Sequence, residues 1–231
     1  MEIKEVKNNQ INIDAFKFAN DAFVPKLEYP LNLVPFNHFF LIVGRPNSGK
    51  TNLILNMLTR KRKCYYKKFN KIYIFSASMK TQTRKFALPD DQMFSNLDFA
   101  ELESIVSKEQ EENNKILFVF DDVISSISKN QSEFLKLVYN RRHIGGGASI
   151  WLVSQVYNKI PLEIRKVCDA LFFFEKKKKK EIESIYNDIV LVSKDKWEKI
   201  IQYCFQNDHD LLFYIVNQQL FFRNFNLLEF S

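Results

Sequence analysis

The sequence predicts an α/β fold, a mostly parallel sheet with helices on both faces, followed by a C-terminal extension of helices and a hairpin. Apolar runs of strand length alternate with amphipathic stretches of helix length between residues 38 and 175. Such alternation is typical of a parallel, helix-covered sheet. The first run, HFFLIV, is apolar throughout, as expected of a strand that is buried on both faces.

The composition is that of a globular chain. The 231 residues are 46% hydrophobic and 26% charged, a balance that suits one sizeable domain. No apolar run approaches the roughly 18 residues that would indicate a membrane span. The cysteines and histidines are scattered without ligand spacing, so neither a disulfide framework nor a zinc site is expected. We expect an N-terminal arm at 1–37, a core at 38–175 and an extension at 176–231 packed on that core.

The core is predicted to contain five strands and four helices. The predicted strands are 38–43, 71–78, 116–120, 148–155 and 169–175, and the predicted helices are 51–63, 98–106, 132–139 and 161–167. The arm contains three prolines and no long period, which predicts irregular structure with one short helix at 13–23. After the core we expect a lysine-rich helix, a second helix with the sequence DKWEKIIQYCF, and a hairpin of LLFYIV and LFFRNF joined by NQQ.

A phosphate-binding loop is predicted between the first strand and the first helix. The sequence GRPNSGKT satisfies the Walker A pattern G-x-x-x-x-G-K-[ST] in full. Backbone N–H groups of such a loop and the following helix N-terminus can surround phosphates, whereas the alternative is a glycine turn that only begins a helix. Lys50 is expected to reach the β- and γ-phosphates of ATP, and the Thr51 hydroxyl to bind Mg²⁺. The candidate ATP-binding residues are Gly44, Arg45, Pro46, Asn47, Ser48, Gly49, Lys50 and Thr51.

Two aspartates end the third predicted strand, in the sequence ILFVFDD. In a parallel sheet this end faces the same crevice as the phosphate loop. Asp121 is expected to hold Mg²⁺ through water, in the manner of a Walker B aspartate, and Asp122 to polarise the attacking water. An alternative for Asp122 is that it caps the helix that follows.

Gln155 ends the fourth predicted strand, which RRHIGGG precedes. Its amide would lie beside the γ-phosphate if this strand neighbours the acidic one, where it could sense the phosphate or orient water. Otherwise it is a surface loop residue. Arg141 and Arg142 lie at the opposite end of the strand, and Arg165 follows in the next helix. Each arginine is a candidate finger for the site of a neighbouring subunit, or an ordinary surface charge.

The chain has a net charge of +7, and many of its basic residues lie in two clusters. One covers residues 60–71 and contains Tyr65, Tyr66 and Phe69, and the other is the five-lysine run at 176–180. Either could contact DNA phosphates, and the aromatic residues could stack on exposed bases. The alternative is that each is a solvated helix end or face.

These motifs, in this order, resemble the FtsK–HerA superfamily, and most closely the genome-packaging ATPases of poxviruses, other large DNA viruses and virophages. The resemblance rests on GRPNSGKT, IFSAS, LFVFDD, RRHIGGGASIWLVSQ and IPLEIRKVCDALFFF, and covers residues 39–174. One departure is Asp122, where cellular relatives usually carry glutamate.

The resemblance implies a homo-oligomeric ring, a pentamer or hexamer, that moves double-stranded DNA into a preformed capsid through its portal or vertex. ATP would lie between subunits, with an arginine supplied by the neighbour. The expected location is the host cytoplasm or viral factory, or the virion.

Two other functions use the same loop. A small-molecule kinase would need an acceptor site and an arginine-rich lid, and no such lid follows the fourth predicted strand. A nucleotide-dependent regulator would hydrolyse slowly and be indifferent to DNA.

Overall fold

The computed structural model describes residues 3–6, 34, 36–60, 64–77, 88–174 and 179–230. The strands in these ranges are β1 (Ile3–Val6), β2 (Phe39–Val43), β3 (Lys71–Phe75), β4 (Met93–Phe94), β5 (Ile116–Asp121), β6 (Ala148–Ser154), β7 (Ala170–Phe173), β8 (Leu212–Ile215), β9 (Leu220–Arg223) and β10 (Asn226–Phe230). The helices are α1 (Lys50–Thr59), α2 (Phe99–Glu111), α3 (Ile124–Lys129), α4 (Gln131–Asn140), α5 (Leu162–Lys166), α6 (Lys179–Ile189) and α7 (Lys194–Cys204). Short 3₁₀ turns occur at Asp90–Gln92, Arg141–His143 and Tyr157–Lys159.

The described strands form one sheet in the order β1-β10-β9-β8-β7-β2-β6-β5-β3-β4. The six strands from β7 to β4 in this order are parallel. The other four strands continue the same sheet in antiparallel pairing. The mostly parallel sheet and the C-terminal hairpin, formed by β8 and β9, are therefore confirmed.

Helices cover both faces of the sheet, as the alternation of elements predicts. In β2, Phe39, Leu41 and Val43 pack in a core cluster with residues of α2 to α7, whereas Phe40 and Ile42 pack on the opposite face with α1. Each of these five side chains is fully buried. Burying one such side chain contributes about 1.5–3 kcal/mol, which explains why the strand is apolar without alternation.

Several elements differ from the sequence-based expectation. Helix α2 runs to Glu111, and it begins where the Asp98 side chain accepts a hydrogen bond from the Ala100 N–H at 2.9 Å. Strands β4 and β10 have no counterpart among the predicted elements, and helix α3 is expected only under the alternative in which Asp122 caps the helix that follows it. Within the arm expected to be irregular, β1 pairs with β10 at the edge of the sheet; this pairing joins segments more than 200 residues apart, which no local pattern reveals. The expected helix at 13–23 lies outside the described residues.

Among the helices that the structure describes, none is long and apolar enough to cross a membrane.

Candidate nucleotide site

The candidate site residues other than the three arginines lie at the carboxyl edge of the parallel strands. The phosphate loop follows β2, Asp121 ends β5, and Gln155 follows β6. Strand β6 lies between the other two, with Val43 opposite Ser154 and Asp121 opposite Val153. Because neighbouring strands are about 4.8 Å apart, β2 and β5 are separated by roughly 10 Å. The edge therefore places Gln155 between the phosphate loop and the acidic strand end, which is the condition under which its amide lies beside a γ-phosphate.

The phosphate loop is tightly curled and requires glycine at two positions. The Gly44 N–H donates to the Ser154 carbonyl at 3.1 Å. A Cβ atom at Gly44 would lie 2.5 Å from Ser48 Oγ and 2.8 Å from Phe174 Cβ, and Gly49 has φ +107°. Gly49 is also the N-cap residue of α1, so the first N–H groups of this helix, which lack intrahelical acceptors, face the loop.

The Lys50 side chain folds back onto the start of the phosphate loop. Its ammonium donates to the Gly44 carbonyl at 2.5 Å and to the Arg45 carbonyl at 2.8 Å. The next residue, Thr51, lies in the first turn of α1 and is partly exposed. The loop therefore brings a cation and a hydroxyl together at the N-terminus of one helix, an arrangement that can hold a triphosphate.

Asp121 is held by a serine on the neighbouring strand. Asp121 is 9% exposed, and its Oδ2 accepts a hydrogen bond at 2.9 Å from the Oγ of Ser76, a residue that is 1% exposed. Ser76 directly follows β3, which pairs with β5. A hydrogen bond to an ionised carboxylate in a dry environment fixes its orientation. The sequence contains Ser76 in IFSAS but gives no sign that it contacts Asp121.

Asp122 and Gln155 contact each other. Gln155 Nε2 donates to Asp122 Oδ2 at 3.3 Å, and both residues are exposed. Asp122 has φ +59°, a left-handed conformation that aspartate tolerates better than most residues. The alternative role as a helix cap is not observed, because the N-cap residue of α3 is Val123 and no side chain caps that helix.

The three candidate arginines have different surroundings. Arg141, at the amino edge of β6, is 8% exposed, and its guanidinium donates to Asp169 Oδ2 at 3.0 Å and to the Asn37 and Val138 carbonyls at 2.7 and 2.6 Å. These contacts commit it to its own subunit. Arg142, in the same 3₁₀ turn, is exposed.

Arg165 is also committed within the chain. Its guanidinium pairs with Asp188 of α6 at 2.6 Å and lies 4.7 Å from the centre of the Tyr157 ring. Burial raises the pKa of the Tyr157 hydroxyl far above its ordinary value, so the ring beneath the guanidinium stays neutral. Of the three arginines, Arg142 alone is exposed.

The basic clusters are only partly described. Lysines 176–178 and residues 61–63 lie outside the described residues. In the cluster at 60–71, Tyr65 is 5% exposed and packs against His38 and Trp151, and Phe69 packs against Phe36. The expectation that these aromatic residues could stack on exposed bases is therefore wrong for Tyr65, which belongs to the core, and is weakened for Phe69, whose ring is partly buried.

The C-terminal extension also reaches the site, which the sequence did not indicate. The turn at 205–210, between α7 and β8, faces the phosphate loop across a cavity of about 390 Å³. A ring nitrogen of His209 lies 3.3 Å from the Ser48 carbonyl oxygen. The one local signal is the polar run QNDHD between an amphipathic helix and an apolar strand.

A family model described as "Poxvirus A32 protein" matches residues 29–226 of this chain. Solved structures with a similar fold include the genome packaging NTPase B204 from Sulfolobus turreted icosahedral virus 2 in complex with sulfate, with a TM-score of 0.63 and 17% identity over 82% of this chain and 96% of that chain. The same protein in complex with AMPPCP has a TM-score of 0.59 and 18% identity over 81% of this chain and 96% of that chain. B204 of Sulfolobus turreted icosahedral virus, described as a DNA-packaging ATPase, has a TM-score of 0.59 and 17% identity over 81% of this chain and 97% of that chain. No curated protein sequence matches.

Proposed function

Because the chain belongs to the poxvirus A32 protein family, we propose that it is the ATP-hydrolysing motor that moves double-stranded DNA into a viral capsid. The membership confirms the resemblance to viral genome-packaging ATPases of the FtsK–HerA superfamily, and with it the expectation of a P-loop ATPase. The observation that carries the proposal is the carboxyl edge of the sheet, where the phosphate loop, the pair Ser76–Asp121 and the pair Asp122–Gln155 lie on neighbouring strands.

The oxygen ligands at this edge suit Mg²⁺. Thr51 offers a hydroxyl and Asp121 a carboxylate oriented by Ser76, and Mg²⁺ usually binds through one or two such groups together with substrate phosphates and water. Bound there, the ion would neutralise charge on the β- and γ-phosphates.

Lys50, Asp122 and Gln155 each have a separate role in hydrolysis. Lys50 binds the β- and γ-phosphate oxygens in place of the loop carbonyls that it now contacts. Asp122 accepts a proton from the attacking water. The water oxygen bonds to the γ-phosphorus, and the bond between the γ-phosphorus and the oxygen that bridges the β- and γ-phosphates breaks. Gln155 orients Asp122 through the hydrogen bond between them and can donate to the γ-phosphate.

The arginine of the proposed ring comes from the amino edge of the sheet. Arg142 precedes the seven-residue strand β6, whose far end leads to Gln155, so the two residues are roughly 20 Å apart. Arg142 therefore cannot serve its own nucleotide, and in a homo-oligomeric ring we assign it to the neighbour's site. Packaging would take place at a capsid portal or vertex in the host cytoplasm or viral factory.

The test of this function is ATP hydrolysis with and without double-stranded DNA. We expect DNA to stimulate phosphate release by the parent chain, and Lys50→Ala to abolish release because the cation at the phosphates is lost. Lys129→Ala, an exposed lysine at the end of α3, is the matched control and should behave as the parent. Phosphate transfer to a small molecule would favour a kinase, and slow hydrolysis that ignores DNA would favour a regulator.

A further inference from the structure

The cleft beside the phosphate loop has a second wall, and the residues of this wall have no role in the proposed hydrolysis of the triphosphate. One wall is the loop itself, at residues 45–48, and the other is the turn at residues 205–210 of the C-terminal extension; Phe174, which packs against Gly44 and Gly49 of the loop, also lines the cleft. The cleft encloses about 390 Å³, within the range of roughly 300–1,000 Å³ that is usual for small-molecule pockets.

The order of the strands decides which part of a nucleotide this cleft can receive. Asp121 and Gln155 lie on the β5 and β6 side of the phosphate loop, and the terminal phosphate must face them. Strand β7, which leads to Phe174, pairs with β2 on the other side, and β8 follows it. A triphosphate that points its γ-phosphate towards Asp121 therefore extends its nucleoside towards β7 and β8, and into the cleft.

The turn is fixed before any ligand arrives. Asp210 is 5% exposed, and its Oδ2 accepts hydrogen bonds from the N–H groups of Gln206 and Asn207 at 2.9 and 2.7 Å. Arg223 at the end of β9 and Asn224 in the turn that follows donate to the same carboxylate at 3.2 and 2.7 Å. The extension thus holds the turn rigidly, and a rigid wall loses little entropy on binding.

The groups on this wall match the chemistry of a nucleoside. Phe174 is partly buried and offers an apolar surface against the loop, while Asn207 and Asp208 are exposed at the cleft. An amide can both donate to and accept from the edge of a base, and a carboxylate accepts from amino groups or ribose hydroxyls. We propose that the turn at 205–210 and Phe174 form the subsite for the base and ribose of the nucleotide. This inference rests on the proposed ATPase function.

The experiment compares two ligands that differ in the nucleoside. We would titrate AMPPCP, which resists hydrolysis, and inorganic tripolyphosphate into the full chain with Mg²⁺ by calorimetry. The double variant Asn207→Ala/Asp208→Ala should bind AMPPCP about tenfold more weakly, as expected for the loss of two hydrogen bonds, with tripolyphosphate binding unchanged. Asp208→Trp, which fills the cleft, should also weaken AMPPCP binding selectively.

The matched control is Asn187→Ala/Asp90→Ala, a pair of exposed residues that do not line the cleft; it should bind both ligands as the parent does. Parental AMPPCP affinity in the double variant and in Asp208→Trp would overturn the subsite. Equal loss for both ligands would also overturn it, because the turn would then only brace the loop. A parent that binds neither ligand would instead overturn the proposed ATPase function itself.

Discussion

Replacing Ser76 by alanine should slow ATP hydrolysis without unfolding the chain. The substitution removes one hydrogen bond of 2.9 Å to the Asp121 carboxylate, between two residues, Ser76 and Asp121, that are 1% and 9% exposed. Hydrogen bonds to charged groups contribute about 1.5–3 kcal/mol, and 1.4 kcal/mol corresponds to a tenfold change in rate. If the carboxylate must be oriented in the transition state, kcat should fall by at least roughly tenfold.

The assay is phosphate release at saturating ATP over a range of Mg²⁺ concentrations. We expect Ser76→Ala to lower kcat and to raise the Mg²⁺ concentration needed for half-maximal rate, because Asp121 is a proposed Mg²⁺-binding residue. Ser76→Thr keeps the hydroxyl and should recover much of the rate. The control is Ser149→Ala: Ser149 is also 1% exposed but accepts from the Asn37 N–H at 3.1 Å, at the amino edge of the sheet. Its loss should lower the melting temperature and leave turnover and Mg²⁺ dependence unchanged.

Two results would refute this reasoning. In the first, Ser76→Ala retains the parental kcat and Mg²⁺ midpoint, which would mean that the serine does not position the carboxylate. In the second, Ser149→Ala loses as much activity as Ser76→Ala, which would mean that any buried serine matters only through stability.

Four further predictions concern the other residues of the site and its surroundings. Asp122→Asn should bind AMPPCP with parental affinity and hydrolyse ATP far more slowly, since the base is lost; a parental rate would place the base elsewhere. Lys50→Ala and Arg142→Ala should each be inactive, yet recover part of the activity when mixed, and an unrescued Arg142→Ala would indicate a role in its own subunit. Glutamine in place of lysines 176, 178 and 180 should reduce DNA stimulation and the salt slope of DNA binding, by about one log–log unit per lost phosphate contact; an unchanged slope would place the DNA path elsewhere. Arg141→Ala should destabilise the chain by about 3 kcal/mol in chemical unfolding, because it leaves Asp169 without its buried partner, whereas a loss near zero would show that the ion pair contributes little.

The sequence was sufficient for the parts of the fold that are local. The strand, loop and helix around Gly44 to Thr51 are contiguous, and the runs that form β2, β5, β6 and β7 are apolar because both faces of each strand are buried. The same local patterns place Asp121 and Gln155 at strand ends. A parallel sheet then brings strand ends together at one edge, so much of the candidate site follows from the motifs.

The remainder depends on contacts between distant segments. The hydrogen bond from Ser76 to Asp121 spans 45 residues, and the contact of His209 with Ser48 spans 161. Neither has a sequence pattern. Likewise, the sequence does not distinguish the adjacent Arg141 and Arg142. The structure does, because Arg141 forms an ion pair with Asp169.

The most direct test of the central proposal is movement along double-stranded DNA. A duplex that carries a short triplex-forming strand reports translocation, because a motor displaces the third strand as it passes. The parent chain with ATP should displace the strand, whereas the parent with AMPPCP and the Lys50→Ala variant with ATP should not. A parent that hydrolyses ATP at a rate indifferent to the duplex, and leaves the third strand in place, would contradict the assignment of this chain as a DNA motor.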